Sequence, residues 1–201
     1  MKKILVGLAT GLFLLGMVAI VGATTLTSTI NMDNGYNAYL STDDTQQGTE
    51  FASLNDWYTS DTATTTLLAD TDYYLHIYAY DQGGVAGFLG EFSLSGNDHV
   101  FSNNSLSLLT NTTDWTGNNS GWASTMATLT DLGTNGVSPW GSSSTSAIDS
   151  SAQWIWAGDA NNDNEAYFTT KISAVPEPST ILLLGSGLLG LGWYGRKRKK
   201  S

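Results

Sequence analysis

Eight residues, Tyr73–Tyr80 (YYLHIYAY), alternate so strictly that they constrain the rest of the chain. In an extended strand Tyr73, Leu75, Ile77 and Ala79 fall on one face, and Tyr74, His76, Tyr78 and Tyr80 on the other. Phe88–Leu94 repeats the pattern, with Phe88, Gly90, Phe92 and Leu94 set against Leu89, Glu91 and Ser93. Tyr36–Leu40, Gln153–Trp156 and Ala166–Ile172 read the same way. Between them lie clusters of Asn, Asp, Gly, Ser and Thr, the residues of turns and loops. Threonine and aromatic residues suit strands, and the middle of the chain shows no long helical period. These segments predict an all-β fold, a single jelly-roll-like β-sandwich. Gly117–Ser150 carries few strand signals and reads as a long polar surface excursion.

The sandwich must fit between two ends of different chemistry. At the first, Lys2 and Lys3 precede an apolar run from Ile4 to Val21, and Val21-Gly22-Ala23 offers small side chains for cleavage. Residues 1–23 read as a signal peptide, an N-terminal signal helix cut by signal peptidase after Ala23. The alternative is an uncleaved anchor. Residues 24–174 remain for the folded domain, enough chain for a core without disulfides. The sequence contains no cysteine, which excludes disulfides, thiolate catalysis and cysteine-ligated zinc.

At the other end, Val175–Thr180 contains Pro176, Glu177 and Pro178. Two prolines deny that segment helix or inner-strand pairing and leave an exposed linker that an enzyme can grip. An apolar segment, 181–194, follows and reads as a short C-terminal transmembrane helix. As a helix it is about 21 Å long, against roughly 30 Å of hydrocarbon, which suits a brief stop better than a lasting span. Trp193 and Tyr194 suit a membrane interface, and Arg196, Lys197, Arg198, Lys199 and Lys200 suit the cytoplasmic side. Gly185-Ser186-Gly187-Leu188-Leu189-Gly190 matches a dinucleotide fingerprint, but it lacks the preceding strand that such a site needs.

The order of Pro-Glu-Pro, short Gly/Leu-rich helix and basic cluster over 175–201 resembles the PEP-CTERM sorting signal of exported bacterial proteins. That resemblance implies recognition by an exosortase, a membrane cysteine protease, and cleavage near Pro176–Pro178. It also implies a Gram-negative-type envelope and association with exopolysaccharide. The expected route is export, a transient stay in the inner membrane through the C-terminal helix, then release to the cell surface or beyond.

The middle of the chain holds seventeen of the eighteen acidic residues against the single Lys171, a balance of −16. Such a domain repels nucleic acid and attracts divalent cations. Asp159, Asn161, Asp163 and Glu165 alternate oxygen donors as calcium loops do, although Asn164 and Thr170 break the EF-hand pattern. Calcium is the one cofactor this sequence suggests, and a plain polar hairpin loop is the competing reading. For catalysis the histidines are His76 and His99, and neither sits in a nucleophile or zinc motif. Carboxylate pairs such as Asp43/Asp44 and Asp70/Asp72 are unremarkable in so acidic a composition. The domain is therefore expected to be no enzyme.

Trp57, Trp115, Trp122, Trp140, Trp154 and Trp156 belong to a core or to a sugar-stacking platform, and Trp154 and Trp156 are expected to face one way. Asp33-Asn34-Gly35-Tyr36, Tyr73–Asp81 with Gly83–Phe92, and Ala152–Trp156 together resemble galactose-binding-like sandwiches. Ser41-Thr42-Asp43-Asp44 stands where that family has a tight Asn-Gly hairpin, so the resemblance speaks to fold rather than to ligand. Two functions compete. One is a non-catalytic surface or matrix protein whose sandwich binds glycan; the other is a secreted glycan-acting enzyme with an unrecognised site.

Overall fold

A computed structural model describes residues 23–142 and 145–176, together with the isolated positions 185, 187, 188 and 191. Two antiparallel six-stranded sheets pack face to face. The first has the order β10-β11-β6-β1-β4, with β8 also pairing β6. Its strands are β1 (Thr24–Asp33), β4 (Asp61–Leu67), β6 (Gly87–Leu94), β8 (Ser107–Leu109), β10 (Thr130–Thr134) and β11 (Gln153–Trp156). The second has the order β3-β2-β5-β12-β7, with β9 also pairing β12. It contains β2 (Gly35–Ser41), β3 (Thr49–Asn55), β5 (Tyr73–Tyr80), β7 (His99–Phe101), β9 (Thr116–Asn118) and β12 (Glu165–Ala174).

The strict alternation of β5 fixes which side of the second sheet is inside. Leu75, Ile77 and Ala79 are fully buried, as are Ala38 on β2 and Ala166, Phe168 and Ile172 on β12. From the first sheet Leu26, Ile30, Phe88, Phe92 and Ile155 meet them. Phe88 and Phe168 join the layers, ring centroids 4.9 Å apart. Tyr36 is buried too, and its hydroxyl donates to the Asp61 carboxylate at 3.0 Å, which ties the second sheet to the edge strand of the first. Burial, with the Asp61 charge beside it, pushes the Tyr36 phenol well above its ordinary range.

The segment expected to be a surface excursion, Gly117–Ser150, does more than that. It supplies β10 and a short 3-10 turn at Trp140–Ser142, and it builds a second core. Trp140 and Ile148 join Leu89, Ala152 and Trp154 in a cluster on the outside of the first sheet. The Trp140 and Trp154 rings stack at 4.4 Å and 18°. Gly87 makes room for them: a Cβ there would meet Trp140 at 2.7 Å and Trp154 at 2.9 Å. The polar composition of the segment hid these few anchors.

Trp154 and Trp156 do not face one way. Trp154 belongs to the outer cluster, whereas Trp156 packs with the inter-sheet core, 5.7 Å from Phe168. Trp156 is the last residue of β11, where the strand leaves the sheet, and its indole donates to the Asp163 carbonyl at 3.0 Å. The signal helix over 1–22 lies outside the described residues, as does all of the C-terminal helix except Gly185, Gly187, Leu188 and Leu191, which are helical and exposed. Among the described residues no helix is long and apolar enough to cross a membrane.

Candidate functional site: an aromatic outer face and the strand that leads out of the domain

The face of β5 that points away from the core carries Tyr74, His76, Tyr78 and Tyr80. Antiparallel register places Tyr167 beside Tyr78 and Thr169 beside His76 on β12, and Tyr39 beside His76 on β2. The result is an unbroken row of rings. Tyr80 lies 5.9 Å from Tyr78, Tyr78 lies 5.1 Å from Tyr167, and Tyr167 lies 5.0 Å from Trp122. Trp122 arrives from the loop after β9 and meets Tyr39, His76 and Tyr167 edge-on, at 74° to 89°. Gly35 lets the row lie flat at its far end, because a Cβ there would collide with the Tyr80 ring at 2.5 Å. Tyr74, Tyr78, Tyr80, Tyr167 and Trp122 are all half-buried.

Acidic groups frame the row. The Glu165 carboxylate acts on both Tyr78 and Tyr167, where burial and this charge raise both phenols above their ordinary range. Burial, reinforced by that carboxylate, pushes the Tyr78 phenol up to about 12. At the other end Asp44 accepts from the Thr169 hydroxyl at 3.1 Å. A cavity of about 290 Å³ opens there, lined by Asp44, Tyr74, Asp114, Thr169 and Lys171 among others.

His76 is fully buried beneath this face, and neither ring nitrogen has a hydrogen-bond partner among the described residues. Burial drives its pKa down to about 4, against the opposing pull of Asp44 and Asp43. The ring is neutral at pH 7. His99 is also buried, with Nε2 3.0 Å from the Thr71 carbonyl oxygen.

The tryptophans divide by environment. Trp115, Trp140, Trp154 and Trp156 are core residues, while Trp57 is 41% exposed on the β3–β4 turn next to Tyr58. Among the described tryptophans Trp122 alone joins the outer row. It carries no alternating strand pattern in the sequence, so nothing local marks it out.

The four expected calcium ligands do not act as one group. Asp159 accepts from the Asn161 backbone N–H at 2.9 Å and from Asn162 Nδ2 at 2.7 Å, which holds its carboxyl below the ordinary range. Asp163 accepts from the Asp159 N–H at 2.7 Å. Glu165 opens β12 and turns to the tyrosines instead. Among the described residues no three His, Cys, Asp or Glu side chains converge as a metal cluster.

β12 runs directly out of the domain. Its end is held by the Lys171–Asp72 ion pair at 2.6 Å, by the Ala174 N–H donating to Asp72 at 2.9 Å, and by the Val175 N–H donating to the Asp98 carbonyl at 2.8 Å. Pro176 follows, exposed and outside any strand. Ala23 is likewise exposed, one residue before β1. Glu177, Pro178 and the basic residues Arg196–Lys200 lie outside the described residues.

A proline exit after the last strand, followed by an apolar segment and a basic run, is the arrangement of a C-terminal sorting signal. Residues 174–199 match the PEP-CTERM protein-sorting motif. The chain therefore carries an exosortase-directed sorting signal, with exosortase as the processing partner that it implies. No curated protein and no solved structure matches the chain, and the galactose-binding-like resemblance gains no support from these comparisons.

Proposed function

We propose that the mature protein is a non-catalytic surface or matrix component whose sandwich binds a polysaccharide along the outer face of the second sheet. The aromatic row from Tyr80 through Tyr78 and Tyr167 to Trp122 carries this reading. An outward sheet face is ordinarily polar, and half-buried rings with polar edges suit the apolar faces and hydroxyl rims of sugars. Glu165 and Asp44, at either end of the row, supply acceptors for sugar hydroxyls. On β12 they lie four residues' reach apart, from Glu165 to the Asp44 partner Thr169, or about 13 Å at 3.3–3.4 Å per residue. A binding surface of that length favours a chain over a single sugar.

The test is affinity electrophoresis of the exported protein in gels cast with soluble polysaccharides, alongside a reducing-end assay on the same polymers. Retardation by at least one polymer, lost in Tyr78→Ala/Tyr167→Ala and accompanied by no new reducing ends, supports the reading. Equal retardation of the variant overturns the site. Turnover would move the protein to the glycan-acting enzyme reading.

A further inference from the structure

The crossover between the two sheets holds a carboxylate with one buried oxygen that no described residue meets. Asp81 follows β5 and is only 7% exposed, and its Oδ1 is buried with no hydrogen-bond partner. Its surroundings are fixed on three sides. Asp81 N–H donates to the Asn164 carbonyl at 2.9 Å, Asn34 N–H donates to the Tyr80 carbonyl at 2.9 Å, and Ala86 N–H donates to the Ala160 carbonyl at 2.8 Å. Asp33 closes β1 beside this junction, and its carboxylate accepts from the Trp140 indole at 3.0 Å. Burial raises the Asp33 pKa, and the Asp81 charge adds to the rise.

Buried carboxylates are ordinarily paired with a cation, bonded by donors or bound to a metal. Among the described residues no side-chain cation serves here. Lys171 is the one lysine or arginine among the described residues, and it is engaged with Asp72 near the other end of β5. An unmet buried polar group is destabilising, and more so when it is charged.

We infer that Asp81 and Asp33 bind a divalent cation, calcium by chemical class, at the crossover from the first sheet to the second. Hard carboxylate oxygens suit calcium, which completes its shell with backbone carbonyls and water. The cation joins β1, β2, β5 and the β11–β12 loop at one point and neutralises two charges in a domain dense with them. This site is distinct from the Asp159–Asp163 loop, whose carboxylates are already capping their own backbone.

Thermal unfolding of the exported protein in a chelator and in millimolar calcium tests the inference, together with calorimetric titration of calcium alone. The wild type should gain about 5 °C or more in Tm at saturating calcium, with one ion bound. Asp81→Asn should lose that gain, and in chelator it should melt no lower than the wild type, because the substitution removes an unpaired charge and keeps the shape. Asp33→Asn should weaken calcium binding at least tenfold, which keeps the inference testable if Asp81→Asn fails to fold. Asp159→Asn should keep the full calcium response. A wild type whose Tm and titration heats ignore calcium overturns the inference, and so does a calcium gain that survives Asp81→Asn or disappears with Asp159→Asn.

Discussion

Both sheets carry aromatic rings in contact on their outer faces, yet one set is closed over and the other is left open. On the first sheet Trp140 and Trp154 stack under the segment that ends at Ala152, and neither is more than 2% exposed. On the second sheet Tyr80, Tyr78 and Tyr167 stay half-buried, with Trp122 covering one end alone. The first arrangement is a core, whose worth is apolar area removed from water and tight packing. The second leaves ring edges and hydroxyls facing outward, where they can do something besides stabilise. Aromatic side chains thus serve two purposes, and the covering loop decides which.

The largest effect expected from breaking this contrast falls on the closed side. Trp154→Ala should destabilise the domain by about 3–5 kcal/mol in denaturant unfolding, since a buried ring is removed and Trp140 loses its stacking partner. Tyr78→Ala on the open side should cost about 1–2 kcal/mol, as two ring contacts are lost from a surface that is already part wet. Its larger consequence should appear in polysaccharide retention. Equal destabilisation by the two substitutions would erase the distinction between core and platform.

The next effect is a pH dependence from His76. Its folded pKa of about 4 lies below the ordinary 6.5, so the unfolded chain binds more protons between those values. Stability should therefore be full above pH 6.5 and decline as pH falls towards 4, by a total on the order of 3 kcal/mol. Urea midpoints across that window measure it. His76→Phe should flatten the slope there, and Trp122→Ala should raise the His76 pKa by admitting water, visible in the imidazole NMR shifts.

The smallest effect belongs to the Lys171–Asp72 pair. With side chains 42% and 50% exposed it should contribute no more than about 1 kcal/mol, read from Lys171→Met and Asp72→Asn in a double-mutant cycle. Salt should reduce even that.

Legibility in the sequence followed the strength of alternation. β5 and β11 match the bounds expected for them, and β2, β6 and β12 differ only at their ends; β5 shows through its alternation, and β11 through its aromatic and β-branched residues although its last three are all buried. β1 and β4 were missed. In β1 the inward positions include Thr24 and Ser28, and in β4 threonines occupy both faces, so the period is invisible to hydropathy. The tyrosine half of the outer row was readable from β5 and β12. Its closure by Trp122, and the second core behind Trp140, depend on where long loops land, which no local period encodes. The sorting signal was readable because its three parts are contiguous. Asp81 was not, since the absence of a partner for a buried oxygen is a tertiary property.

On the proposed route the C-terminal signal delivers this sandwich and is then removed. Intact-mass measurement of the protein recovered from the surface fraction of exosortase-competent cells tests it most directly, beside a variant with Pro176, Glu177 and Pro178 changed to alanine. The wild type should end near residues 176–178 and lack the basic run Arg196–Lys200, while the variant should keep that run and stay with the membrane. A surface form of the wild type that still carries Arg196–Lys200, or a variant processed like the wild type, would contradict the account.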